Sequence, residues 1–359
     1  MVRLNQFIKI CFAVLLVLAI IYVGSLVDFV FKPIFSLITI VTVPLMLSVF
    51  FYYLLLPLVN WMEKKKIHRT LSVLLIYVVI AVILAGLFLG VWPSLRTQLL
   101  NLLNNAPSLF NALNEQLHEL EQSGFLSEYL PKDVNPLSEL TNYLNKGFTF
   151  LTNYVTSLFG VISNVAVVLV IFPVILFYML KENGGFGRKM ISLAPKRFHD
   201  EASKVVQDID QSLSSFIIGR VLINLALGVL MYLGFLIIGL PYALLLTVVA
   251  VILNFIPFIG AILSSVPIVI IGFIESPSIA IWSLIIILAS QQIQDNLIAP
   301  YIFGKQLAIH PVTTIILVLV GGDLAGILGI LLIIPIYIMI KIVVVKIYEL
   351  FFKKKWEEA

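Results

Sequence analysis

Residues 291–300 read Gln291-Gln292-Ile293-Gln294-Asp295-Asn296-Leu297-Ile298-Ala299-Pro300 and form the densest polar cluster at the end of any long apolar run in the chain. Of the six positions 291–296, only Ile293 lacks an amide or a carboxylate. Amides can exchange hydrogen bonds with a polar solute, and a carboxylate can carry a cation or a proton. A lipid-facing helix does not hold such groups cheaply, because each is strongly disfavoured in hydrocarbon. Helical spacing puts Gln291, Gln294 and Asp295 on one side, as i, i+3 and i+4. Pro300 is expected to end the helix, since a proline pushes the residue before it out of helical geometry. Two readings follow: a helix end that meets lipid headgroups, or the polar lining of a transport path. The second needs further polar breaks at similar depth.

The last third of the sequence supplies them. Leu244–Phe273 is apolar but interrupted by Asn254-Phe255-Ile256-Pro257-Phe258-Ile259-Gly260, then by Ser264-Ser265 and Pro267. Pro257 with Gly260 predicts a discontinuous helix or a re-entrant hairpin. Irregular backbone at membrane depth is tolerated only inside protein or along a cavity. Val312–Val345 exceeds the roughly 20 residues of one untilted crossing, and Gly321-Gly322-Asp323 and Gly326…Gly329 interrupt it. Asp323 is either a functional carboxylate or a cap for the half-helix that follows. Pro335 is expected to kink the final helix, and His310-Pro311 to shape a turn at the membrane interface. Arg220, after Gly219, either snorkels to the interface or pairs with an acid in the bundle. Interrupted apolar segments in such positions mark binding sites in secondary transporters.

The elements that must position these residues are membrane helices. Hydrophobic residues make up 61% of the 359 positions, against roughly 45–50% in soluble domains, and the mean hydropathy is +1.09. The fold class is an all-α polytopic membrane protein with about eight spans, two of them broken or re-entrant. Residues 1–95 hold the first three spans, at about Ile8–Val27, Pro33–Leu56 and Leu71–Leu95. The first is read as uncleaved. Residues 96–150 turn acidic and predict an extracytoplasmic insert of amphipathic helices, with Phe110, Leu113, Leu117 and Leu120 as a stripe that packs on a neighbouring helix or on another subunit. Residues 151–359 carry the remaining spans, the cytoplasmic loop 181–210, and the motif-bearing segments 244–273 and 279–347. Lys64, Lys65, Lys66 and Arg69, then Lys181, Arg188, Lys189, Lys196 and Arg197, mark the cytoplasmic side. Lys353-Lys354-Lys355 place the C-terminus in the cytoplasm of a multi-pass cell-membrane protein, of the bacterial inner or plasma membrane.

Taken in order, Asn254…Ile256-Pro257-Phe258-Ile259-Gly260, Pro267, Gln292…Asn296…Pro300, Gly304-Lys305, His310-Pro311, Gly321-Gly322, Gly326-Ile327-Leu328-Gly329 and Pro335 resemble the autoinducer-2 exporter family. The apolar layout is similar over nearly the whole chain. The resemblance implies an eight-span permease with both termini cytoplasmic that assembles as a homo-oligomer, with a pentamer among the forms implied. Its family roles are export of autoinducer 2 and, for some members, sodium(lithium)/proton antiport. Many members carry Glu-Gly-Asn where this chain has Gln294-Asp295-Asn296, which moves the carboxylate about 100° round a helix.

Three functions are weighed. In a permease for a small polar solute, Gln291, Gln294, Asn254 and Asn296 would line the path. In a cation/proton antiporter, Asp295 and Asp323 would carry the ion and the proton. A non-transporting scaffold would depend on the insert alone. No phosphate-binding glycine loop with Lys-Ser or Lys-Thr is present, and an enzyme is not indicated. His68, His118, His199 and His310 lack partners at metal-ligand spacing, so neither a metal nor a cofactor is implied. The basic residues flank apolar runs, so the expected partners are membrane lipids, the solute or ion, and further copies of the chain, not nucleic acid.

Overall fold

The structure is a computed structural model that describes residues 28–105, 108–109, 111–113, 115–116, 162–182, 185–257, 259–303 and 309–350, with Phe12, Leu15 and Leu16. Nearly all of the first span, most of the 96–150 insert, and Gly304 lie outside the described residues. Those described form helices, with no strand among them: α1 (Asp28–Lys64), α2 (Arg69–Gly90), α3 (Trp92–Asn104), α4 (Ile162–Lys181), α5 (Gly185–Leu193), α6 (His199–Ile237), α7 (Ala243–Leu253), α8 (Ile259–Glu275), α9 (Pro277–Ile293) and α10 (Ala299–Phe303). The final helical stretch, Pro311–Tyr348, is broken at Ala325 and Gly326. Its arms are α11 (Pro311–Gly326) and α12 (Gly329–Tyr348).

Five helical stretches are long and apolar enough to cross a bilayer, and four shorter apolar helices accompany them among the described residues. The chain is an all-α polytopic membrane protein. Its outer surface is apolar: Val78, Val82, Ile83 and Leu89 of α2 are all more than half exposed, as suits side chains whose solvent is lipid. Inside, Leu55, Val59, Val73, Ile76, Leu176 and Leu180 join α1, α2 and α4. At the end of the bundle that bears Lys64 and Lys181, Arg69 fastens the same three helices. Its Nε donates to the Leu180 carbonyl over 2.7 Å, and its Nη1 pairs with Glu63 over 2.8 Å. The last carbonyls of a helix lack partners along the chain, so a guanidinium there satisfies one and complements the helix dipole.

Helix α6 is the axis of the second half. It ends at Gly239, whose φ of +68° suits only glycine without strain. There the Leu240 amide reaches back to Phe235 and the Gly239 amide to Leu236, the paired closure of a Schellman motif. Tyr242, also left-handed at φ +57°, then starts α7. Gly228 of α6 lies against Val251 of α7, and Arg220 against Asn254, so α7 runs back along α6. The turn 254–259 reverses the chain again. Ala243 and Leu246 at the start of α7 share a core with Ile268 and Ile271 in the far half of α8. Segment 244–273 is therefore a helical hairpin, the second of the two forms its sequence allows. Pro267 does not break α8, which continues through it.

The final stretch forms a second hairpin. In one helix, residues eight positions apart are about 12 Å apart along the axis. Here a Cβ on Gly321 would stand 2.7 Å from the Gly329 carbonyl oxygen, so the backbones touch and α12 folds back on α11. Gly326 makes the bend at φ +58°. Pro335 lies within the helical backbone of α12. His310 caps the first arm, its Nδ1 accepting from the Val312 amide over 3.3 Å with Pro311 next in the chain, which gives the turn expected of that pair.

The hairpins approach from opposite ends of the bundle. The first begins where α6 ends, far from Lys64 and Lys181. The second returns along α6 toward those basic residues, placing Met339 beside Leu213 and Tyr53. Phe255 of the first turn and Leu331 and Leu332 of the second hairpin line one apolar cavity of about 200 Å³ beside α1. The first turn thus meets the second hairpin just past its bend.

Candidate functional site

Asn254 stands at the meeting point, where α7 gives way to the turn. Its side chain is 4% exposed, and its Nδ2 donates to two acceptors, Asn224 Oδ1 on α6 at 3.1 Å and Gln294 Oε1 past α9 at 3.0 Å. Gln294, also 4% exposed, passes the chain on through Nε2 to Asp295 Oδ1 at 3.1 Å. Arg220 joins at Asn254: its Nη2 donates to that residue's backbone carbonyl. Arg220 thus turns into the protein instead of snorkelling, and holds a carbonyl that the hairpin turn exposes. Three elements that cannot hydrogen-bond through regular backbone at this depth are tied together by side chains. Unsatisfied polar groups in a membrane interior are strongly disfavoured.

The helix bearing Gln294 and Asp295 departs from its expected course. Pro300 was expected to terminate it, but the backbone runs on through a π-turn over Gln294–Ile298 into α10. The Ala299 amide reaches the Gln294 carbonyl, five residues back, so the turn is wide. A proline in an α-helix strikes the carbonyl four residues earlier; the wider turn relieves that contact at Asn296. Gln294 is buried, Gln291 is half-buried, and Asp295 and Asn296 are exposed. Asn296 donates to Gln292 over 2.7 Å on the exposed side. Short π segments recur at functional sites.

Gly260 and Gly219 give the network its closeness. A Cβ on Gly260 would collide with the Leu253 carbonyl, and one on Gly219 with the Phe303 ring; small residues let membrane helices approach this closely. Pro257 lies in the turn itself, and its carbonyl accepts from the Ile259 amide. Gly321, Gly322, Gly326 and Gly329 build the second hairpin and add no polar group. Asp323, near its tip, is exposed and makes no hydrogen bond among the described residues. It caps nothing, which corrects that expectation, and it stands apart from the Asp295 network.

Asn224 is the member not singled out by sequence. It is 1% exposed, and its Nδ2 has no partner among the described residues. A signal was present, because Asn224 follows Arg220 by one helical turn in an otherwise apolar stretch. Among the described residues, no three His, Cys, Asp or Glu side chains come together as metal ligands would.

Comparison with known proteins agrees with this architecture. The profile of the family described as AI-2E family transporter matches residues 5–349. YueF of Bacillus subtilis (strain 168), whose name assigns it to transport, is 35% identical over 91% of this chain and 90% of its own length. YrrI of the same organism, similarly named, is 31% identical over 96% of each chain. The AI-2 transport protein TqsA of Escherichia coli (strain K12) is 26% identical over 84% of this chain and 85% of its own.

Proposed function

The chain belongs to the AI-2E family of transporters, and from that premise we propose that it is a permease exporting a small polar solute past the Arg220–Asn224–Asn254–Gln294 network. The family and the relatives' names point to transport and not to catalysis. One observation carries the reading: the buried Asn224 amide donor left without a partner. A buried, unpaired donor destabilises by about 1–3 kcal/mol. A solute that brings an acceptor there, while the hairpin tips part, recovers that loss. Uncharged amides with an arginine suit a solute rich in hydroxyl and carbonyl oxygens, and autoinducer 2, for which the relative TqsA is named, is the first to try.

Sodium(lithium)/proton antiport is the weaker alternative. One carboxylate it would use, Asp295, accepts from Gln294 in the same network that Arg220 joins at Asn254, and a fixed guanidinium there disfavours a metal cation. The same proposal places the protein in the cell membrane with both termini in the cytoplasm, by the charge bias of its loops, and as a homo-oligomer.

The test uses sealed vesicles of purified protein, assayed in separate arms for autoinducer-2 flux and for sodium- or lithium-driven proton movement. The expected result is solute flux that falls by about tenfold or more in Asn254→Ala and Arg220→Gln, with no cation response. Proton movement driven by sodium or lithium, and lost in Asp295→Asn, would replace this reading with the antiporter.

A further inference from the structure

We propose that a cavity between α6 and α12 is a second solute site, for a molecule that carries one ammonium and one anionic group. The inference rests on the reading of the chain as a transporter. The cavity, of about 340 Å³, is lined by Asp208 and Ser212 of α6, by Tyr337, Lys341 and Lys346 of α12, by Glu349 just beyond it, and otherwise by aliphatic side chains.

Asp210, two residues from Asp208, accepts a 2.8 Å hydrogen bond from the Tyr53 hydroxyl of α1, which fixes this stretch of α6 against α1. Asp208 and Lys341 are exposed, so both charges are open to a ligand entering the cavity.

The charges are arranged for a zwitterion. Lys346 is satisfied by Glu349 at 3.3 Å. Asp208 and Lys341 both face the cavity, and among the described residues neither has an ion pair or hydrogen bond. They do not meet each other, so space for a ligand separates one fixed anion from one fixed cation. A simple cation or anion would satisfy one and leave the other without a partner. A molecule with both charges satisfies both, the Ser212 and Tyr337 hydroxyls serve its remaining polar atoms, and the aliphatic walls suit an apolar side group. Ser212 precedes Arg220 by eight residues, about 12 Å along α6, so the cavity is the antechamber of the network at the hairpin tips. A free amino acid and a phosphatidylethanolamine headgroup share the required chemistry.

The experiment measures equilibrium binding of radiolabelled L-leucine to the full chain in nanodiscs of phosphatidylglycerol alone. Its decarboxylated amine and its deaminated acid serve as single-charge competitors. The expected result is saturable leucine binding, with each competitor about tenfold weaker or worse. Asp208→Asn and Lys341→Gln should each weaken binding to a similar degree, and Lys341→Arg should retain it, which separates lost charge from misfolding. Asn254→Ala should leave binding within about twofold while transport falls, so failure of this site and failure of the transport reading are distinguishable. Adding phosphatidylethanolamine to the discs identifies the source: competition with leucine assigns the site to a headgroup, and its absence to a free solute. No binding in either disc, or equal binding of the single-charge competitors, would overturn the proposal.

Discussion

The backbone of Gly321 touches that of Gly329 across the bend at Gly326, so a Cβ on either residue would press into the other's carbonyl group. This contact, more than any side chain, makes Pro311–Tyr348 a hairpin. Gly329→Ala or Gly321→Ala should lower stability by roughly 1–3 kcal/mol, because the obstacle is backbone and cannot rotate away. Gly322→Ala is the control. Its nearest neighbour would be Ile330 Cγ1 at 3.4 Å, ordinary contact, so its effect should stay within about 0.5 kcal/mol. Thermal unfolding of the three variants in one detergent checks the order.

Arg220 is held by geometry as well as charge. Arg220→Lys keeps the cation but loses the planar fork that reaches the Asn254 carbonyl. Transport in vesicles should fall for Lys and fall further for Gln, by roughly 10–100-fold in the latter. Equal activity of Lys and Arg would mean that only the charge matters.

Asn224 and Gln294 share one donor group on Asn254, so their removal should not be additive. A double-mutant cycle with Asn224→Ala and Gln294→Ala should return a coupling of about 0.5–3 kcal/mol, read from thermal stability. A coupling of zero would separate the two amides.

Arg69 bonds to α1 and α4 and to no member of this network, and its role is mechanical. Arg69→Met should reduce stability by about 1–3 kcal/mol by stranding the Leu180 carbonyl. Solute affinity, measured as the concentration for half-maximal flux, should not change.

The sequence made the polar residues visible but not their arrangement. Asn254 with Pro257 and Gly260, and Gly321 to Gly329, announce interrupted helices because proline and glycine act on the local backbone. Whether such a break bends a helix slightly or folds it back depends on contacts with distant residues, such as Gly228 with Val251, that no local rule encodes. Pro300 shows the reverse case. Its local effect is clear, but the π-turn that accommodates it depends on how Gln294 is held by Asn254. Asn224 stayed hidden because one amide in an apolar helix resembles an ordinary packing residue until its partners are seen.

Gln98 of α3 accepts a hydrogen bond from the Leu245 amide over 3.0 Å, in the first turn of α7, where a helix has no donor-satisfying carbonyl of its own. A nearby contact joins Asn105 to the Tyr242 hydroxyl at 3.4 Å. The base of the first hairpin is therefore tethered to the segment that leads away into residues 106–161. A displacement of α3 would therefore be passed along α7 to Asn254 at its other end.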